Sequence, residues 1–461
     1  MPHVTRAPAY SGGKRQFKSA RAKEFLVDGK KLPSVDFDIG DSYAGVLPTS
    51  NDPKSPTKLF FWFLPSQTEV GSNDLTMFTN GGPGCSSLIG ATSENGPLTL
   101  AKKITRNPYS WNTVSNVLYI EHPAPVGFSE GNVTIHNEIE IAKPIFGFLQ
   151  HFVEVFEEMK NVNFWVSGES YAGYYVPYIC DYIYAHQSAL ALSLQGSFLI
   201  DPVFSDGVFA FEIPAYPFVK RHQDAFPFNA TFWAHLADLH HSCGFDAYLE
   251  KYLTYPPPGP FEEPLVICLQ LAWVGPWLTL DSCIARKPRN QRLQHDMRYV
   301  QCKISIFTIT LVRSIKITSH AKMSERHFTF LKALKNGPRS FGQIFPHGDG
   351  SQPPAWTVYP RVIEKSKRTL LAHGLWDFRI FSEGSQLGVQ NMTWSGAQGL
   401  SKPLTVPFMV KGQGHLGNFR TERGFTLAEV DKAGHMIPQD QPQAALQLLQ
   451  FLLGQRETPS E

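Results

Sequence analysis

The chain has 461 residues and a formal net charge of +2, but the charge is unevenly spread. Residues 1–31 hold 8 Lys/Arg against 2 acids and residues 286–339 hold 13 against 2; removing these from the totals of 42 and 40 leaves 21 basic and 36 acidic residues. An acidic body this long can bury a large core and argues against nucleic acid as partner, and no apolar run reaches the ~18 residues that membrane insertion as a helix requires.

Residues 1–31 form an atypical basic segment with no apolar stretch of the signal-peptide kind. The next stretch is turn-punctuated and contains the run Leu59 to Leu64. Leu75–Phe78 reads as a strand entering the glycine-rich loop Asn80 to Ser87, and Val117–Glu121 as another strand. Ile139 to Lys160 has apolar spacing suited to an amphipathic helix, apart from Pro144 near its start. Asn163 to Tyr182 predicts a strand, a sharp Gly168-Glu169-Ser170-Tyr171-Ala172-Gly173 turn and a helix, and Gly196–Ile200 a further strand.

From 204 to 340 the alternation breaks down, and the sequence predicts an inserted, mainly helical cap. Within it 286–340 is foreign to the acidic body; this stretch and the signal-less N-terminus read as gene-model errors, such as translated intron or a misplaced start. Alternation returns in 341–455 with Thr369–Ala372, Phe425–Val430 and a closing helix through Gln443 to Leu449. Together with 32–203, this predicts an α/β domain whose mostly parallel central sheet is covered on both faces.

Six cysteines (85, 180, 243, 268, 283, 302) permit three disulfides in fifteen connectivities, and three of them fall between 243 and 283, which suits an oxidising compartment. Asn132, Asn229 and Asn391 each open an N-glycosylation sequon.

A serine on a strand-to-helix turn is held exposed above the strand ends, beside the first N–H groups of the helix. Ser170 occupies that place, although Ala172 stands where the G-x-S-x-G pattern has glycine. A serine nucleophile needs a base and an acid that orients it. Asp377 lies just past one strand and His435 in the loop after the last, so the order Ser…Asp…His is that of α/β-hydrolases. His373 competes as base, but its place just before the strand-end acid suits a structural role. The Asn80–Ser87 loop can aim backbone N–H groups at an oxyanion; a phosphate-cradling loop is the rival, but its Lys-Ser/Thr ending is absent.

Asn80-Gly81-Gly82-Pro83-Gly84-Cys85-Ser86-Ser87, Glu94-Asn95-Gly96-Pro97, the Gly168–Gly173 turn and Ala433-Gly434-His435-Met436-Ile437-Pro438 together resemble the signature blocks of the serine carboxypeptidase family. His373 to Phe378 and Asn391-Met392-Thr393-Trp394 look like its secreted fungal branch, and Ala172 is the family's norm. The resemblance implies an α/β-hydrolase fold and release of C-terminal residues from peptides at acidic pH. Ser170 would be nucleophile, His435 general acid/base and Asp377 its orienter, with the N–H groups of Gly82 and Tyr171 as oxyanion hole. Asn80, Glu94 and Glu169 would grip the C-terminal carboxylate of the substrate. The resemblance implies no metal or organic cofactor, and secreted or vacuolar delivery. Three positions depart from the pattern: Phe78 replaces a tryptophan, Pro125 a glycine and Leu375 an aspartate. An acyltransferase using the same triad and an inactive binding or scaffold protein are the rival readings.

Overall fold

The computed structural model describes residues 17, 19–100, 103–131, 134–226, 228–264 and 341–460. The basic stretches 1–16 and 286–340, the sequon residue Asn132 and Cys268, Cys283 and Cys302 lie outside the described residues.

The body is an 11-stranded sheet. Its strands, in chain order, are β1 (Leu26–Val27), β2 (Ser42–Pro48), β3 (Lys58–Leu64) and β4 (Asp74–Thr79). After a small ribbon of β5 (Leu98–Leu100) and β6 (Ile104–Arg106) come β7 (Asn116–Glu121), β8 (Asn163–Glu169), β9 (Ser193–Ile200) and β10 (Arg368–Gly374). A second ribbon, β11 (Thr393–Trp394) and β12 (Ala397–Gln398), precedes β13 (Val406–Val410), β14 (Gly414–Glu422) and β15 (Phe425–Val430). The order across the sheet is β1-β2-β3-β7-β4-β8-β9-β10-β15-β14-β13. The central strands β7, β4, β8, β9, β10 and β15 run parallel to one another, and the outer strands join on either side by antiparallel pairing.

Both faces of the sheet are buried, which explains the unbroken apolar strands. Phe61, Phe63, Met77, Leu118, Val166, Leu199 and Leu371 point to one core, under the helices Ile139–Val155, Ala172–Ala185 and Val358–Lys365. Their neighbours Trp62, Phe78, Tyr119, Trp165, Phe198 and Leu370 point to the other, closed by the helix Pro442–Leu452. The alternation is the period of two expected of strands.

Part of the basic N-terminal segment belongs to this body. Phe17 is buried against Tyr43, Phe63 and Phe156, its N–H donates to the Tyr43 hydroxyl (3.0 Å), and β1 pairs with β2. Among the described residues of the insertion after β9, the helices Ala215–Arg221, Ala230–Ser242 and Phe245–Tyr252 stand out. The predicted helix at 139–160 ends at Val155, after which a short 3-10 turn carries the chain to β8. No helix of the described residues is long and apolar enough to cross a membrane.

Candidate active site

The C-terminal ends of β8, β10 and β15 carry Ser170, Asp377 and His435 respectively. Ser170 is half-buried and has φ +66°. An L-residue in that region costs about 1–3 kcal/mol unless its surroundings impose it. They do: its N–H donates to the Ile200 carbonyl (3.0 Å), and its own carbonyl accepts from Gly173 (2.9 Å) and Val203 (3.0 Å). The Ala172 methyl fits because a Cβ on Gly168 would come within 2.6 Å of it, so the elbow tolerates alanine there only with glycine at 168.

The glycine-rich loop lies against the elbow. A Cβ added to Gly81 would sit 2.4 Å from the Tyr171 nitrogen and 2.7 Å from the Glu169 carbonyl oxygen. Gly81→Ala should therefore push the loop off the elbow, lowering kcat by about 10²–10³-fold, the cost of one misplaced oxyanion donor. Steady-state kinetics on the folded variant check this; wild-type kcat would contradict it.

His435 and Asp377 are joined directly: Nδ1 of His435 donates to Asp377 Oδ2 at 2.7 Å. The other oxygen, Oδ1, accepts from the N–H groups of Arg379 (2.7 Å) and Ile380 (3.2 Å). Burial opposes ionisation of Asp377, but the His435 charge, the His435 hydrogen bond and the adjacent His373 outweigh it and hold the carboxyl well below the usual range. The two loops are locked together by Trp376 N–H to the Ala433 carbonyl (2.8 Å) and Leu375 N–H to the Val430 carbonyl (2.9 Å). Leu375 thus contributes through its backbone.

His373 is fully buried; its Nε2 donates to the Ile380 carbonyl (2.8 Å) and Nδ1 lies 2.9 Å from Ser385 Oγ. With Nε2 3.6 Å from Asp377 Oδ2, it supports the acid from behind. Asp201, His373 and Asp377 lie within metal-ligating reach of one another, yet Nε2 spends its proton on a carbonyl and Asp201 Oδ1 accepts the Gly374 N–H (2.6 Å). These are protein-internal bonds.

Asn80, Glu94 and Glu169 are brought together as buried neighbours. Asn80 Nδ2 donates to Glu94 Oε1 (3.0 Å) and faces Glu169 Oε1 (3.3 Å), while its Oδ1 accepts from Gly90 N–H (2.9 Å). No donor from outside the pair reaches Glu94 Oε2 or Glu169 Oε2 among the described residues. Burial raises the pKa of both; Glu169 is lifted further by the Glu94 charge, while a hydrogen bond from Glu169 favours Glu94 ionised. One proton between two carboxyls meets all of these conditions. Helix Ile437–Asp440 packs on the Gly90–Glu94 turn, bringing the histidine loop to this group.

Phe78 is an apolar filler between Trp111, Tyr119 and Gly90. Pro125 lies in a loop fastened by Glu121, whose carboxylate accepts from Ser86 Oγ and from Phe128 N–H (2.5 Å). Burial pushes Glu121 up to about 7. Sequence reasoning missed Glu121, Asp201, and Asp440, which accepts the Gly434 N–H (2.8 Å) beside His435. Glu121 ends a strand, Asp201 follows one and Asp440 ends a short helix, places where acids are common, and local sequence marks none of them.

Cys85 and Cys243 are disulfide-bonded, while Cys180 is a buried free thiol, so not all six cysteines pair. Asn229 is exposed and caps its helix through the Phe232 N–H (2.9 Å); Asn391 is half-buried, its Oδ1 accepting from Phe261 N–H (3.3 Å).

Against known proteins, residues 33–213 and 342–455 match the profile described as serine carboxypeptidase. A probable serine carboxypeptidase of Arthroderma benhamiae is 33% identical, covering 96% of this chain and 89% of that protein. Serine-type carboxypeptidase F of Aspergillus niger is 31% identical, with 96% and 89% covered. Among solved structures, a prohormone-processing carboxypeptidase from Saccharomyces cerevisiae superposes with a TM-score of 0.68 at 20% identity, covering 94% of this chain and 96% of that one. The last likeness concerns the fold, which is that of an α/β-hydrolase.

Proposed function

The chain belongs to the serine carboxypeptidase family, and from that premise we propose that Ser170, His435 and Asp377 form its catalytic triad. It is a serine-type hydrolase. In the proposed cycle Ser170 Oγ attacks the last peptide carbonyl as His435 Nε2 takes its proton. Asp377 keeps the other imidazole proton on Nδ1, so that Nε2 is free to accept. The oxyanion is held by the N–H groups of Gly82 and Tyr171. His435 then protonates the leaving amino acid, and water, deprotonated by the same imidazole, releases the acyl group.

What carries the exopeptidase reading is the buried Asn80–Glu94–Glu169 group, one member of which precedes Ser170 in sequence. With one carboxyl protonated, this group can donate to a C-terminal carboxylate; with both ionised it repels one. The raised pKa values set the sign: the site accepts substrate at low pH and loses it as pH rises through the titration of the pair. KM for a blocked dipeptide should therefore rise with pH while that for its C-terminal amide stays flat, and Glu169→Gln should flatten the free-acid curve. Equal KM profiles for acid and amide in the wild type would refute the assignment.

The same burial shapes stability. Glu121 has its folded pKa raised to about 7 by burial, against an ordinary value of 4.5, so the folded state binds more protons between those values. Its contribution is intact below pH 4.5 and declines as pH rises towards 7. Relative to wild type, Glu121→Gln should gain thermal midpoint as pH rises across that window; a constant difference would oppose this.

The disulfide-bonded Cys85 and Cys243 support an oxidising location, which fits secreted or vacuolar delivery. The exposed Asn229 fits a glycosylation acceptor, and Asn132 and Asn391 are proposed as acceptors on their sequons alone.

A further inference from the structure

A second buried carboxyl group lies on the far side of the elbow, outside the machinery above. Glu138, just before the helix Ile139–Val155, is 0% exposed; no donor meets its carboxyl oxygens at full hydrogen-bond geometry, and the groups within their reach are the Tyr171 phenol and the Asp349 carboxyl. An ionised carboxylate there would have only a phenol already engaged by Asp349 and no cation to compensate it, a situation proteins avoid by keeping the group protonated. The strongest charge acting on it is Asp349, which raises its pKa further beyond the effect of burial. Asp349 arrives 211 positions later, on the segment by which the chain returns from the insertion to the body.

Asp349 is occupied. Its Oδ2 accepts the Tyr171 hydroxyl at 2.7 Å and its Oδ1 accepts the Ser351 N–H at 2.9 Å. Tyr171 is the residue after Ser170, and its ring stacks on Tyr174 with centroids 5.2 Å apart. Two further bonds close the seam around Glu138: its own N–H donates to Ser351 Oγ (2.7 Å), and Gly350 N–H donates to the His136 carbonyl (2.8 Å). The other titratable groups facing this pair are Tyr174, Tyr175 and Tyr178 from the elbow helix, all kept neutral by burial, and nearby His136 and His347, whose rings stack on each other. No cation is paired with Glu138 among the described residues.

We propose that Glu138 is a positioning residue for the reaction: buried beside Asp349 without a cation, it leaves Asp349 Oδ2 to the Tyr171 phenol, and so fixes the residue whose N–H closes the oxyanion hole. When Glu138 ionises, two carboxylates face each other across the seam, the return segment is pushed away, and Tyr171 loses its anchor. The chain thus has two acid-dependent carboxyl pairs. The Glu94/Glu169 pair governs binding, whereas Glu138/Asp349 governs the chemical step. This rests on the proposed role of the Tyr171 N–H.

The test compares wild type, Glu138→Gln and Tyr171→Phe across pH. A blocked dipeptide ester lacking a free carboxylate removes the binding pair from the readout. Gln mimics the neutral acid, so above the pH at which wild-type kcat falls by half, Glu138→Gln should show about threefold to tenfold higher kcat than wild type, the range set by keeping one hydrogen bond to a charged group. At low pH the two should agree. Tyr171→Phe keeps the peptide N–H but cuts the anchor, so its kcat at low pH should be about threefold to tenfold down. If Glu138→Gln does not fold, that variant alone carries the test. Superimposable pH profiles for wild type and Glu138→Gln, or wild-type kcat in Tyr171→Phe, would overturn the proposal. Fluorophosphonate labelling of Ser170 in each protein separates the failures: labelled enzyme with unshifted profiles defeats only the Glu138 role, whereas absence of labelling in wild type defeats the triad itself.

Discussion

Ser170→Ala is expected to lower kcat by about 10⁴-fold or more, since the remaining site can only bind substrate and polarise its carbonyl. The fold should not notice. What the structure asks of residue 170 is a left-handed backbone and three main-chain hydrogen bonds, to Ile200, Gly173 and Val203, all of which alanine provides. The thermal midpoint should stay within about 2 °C of wild type, as for a substitution that deletes no buried contact. A variant that lost activity and stability together would indicate that the serine is a structural turn residue.

Asp377→Asn should cost about 10⁴-fold in kcat, and for a different reason. Asp377 Oδ1 accepts two backbone N–H groups, from Arg379 and Ile380, which only an oxygen can satisfy. The asparagine carbonyl must therefore take that side, leaving the NH₂ group facing His435 Nδ1. The imidazole then moves its proton to Nε2, the atom that has to receive the serine proton. The variant should remain folded, with circular dichroism unchanged, while single-turnover acylation almost vanishes. Retention of more than about one tenth of kcat would mean that Asp377 does not set the tautomer.

The parts legible in the sequence were those with local causes. Buried parallel strands read as apolar runs, so β4, β7, β8, β9, β10 and β15 were found near their true limits. The elbow is legible because the helix packed on its strand leaves room only for glycine at 168 and begins just after Ser170. The Asn80–Glu94–Glu169 group came from family resemblance, because 14 and 89 positions separate its members from Asn80 and no spacing rule joins them. Contacts such as Asp201 to Gly374 and Tyr171 to Asp349 span 173 and 178 positions and became visible only in three dimensions. At the N-terminus Phe17, whose ring belongs to the main core, is a single apolar residue within a basic segment, and no local pattern marks it.

The most direct measurement is residue release from a blocked dipeptide at acidic pH, run beside fluorophosphonate labelling with the modified peptide mapped. The account predicts release of the C-terminal amino acid, label on Ser170 alone, and loss of both in Ser170→Ala. Release that persists in Ser170→Ala, or folded wild-type protein that labels at Ser170 yet frees no amino acid, would contradict it.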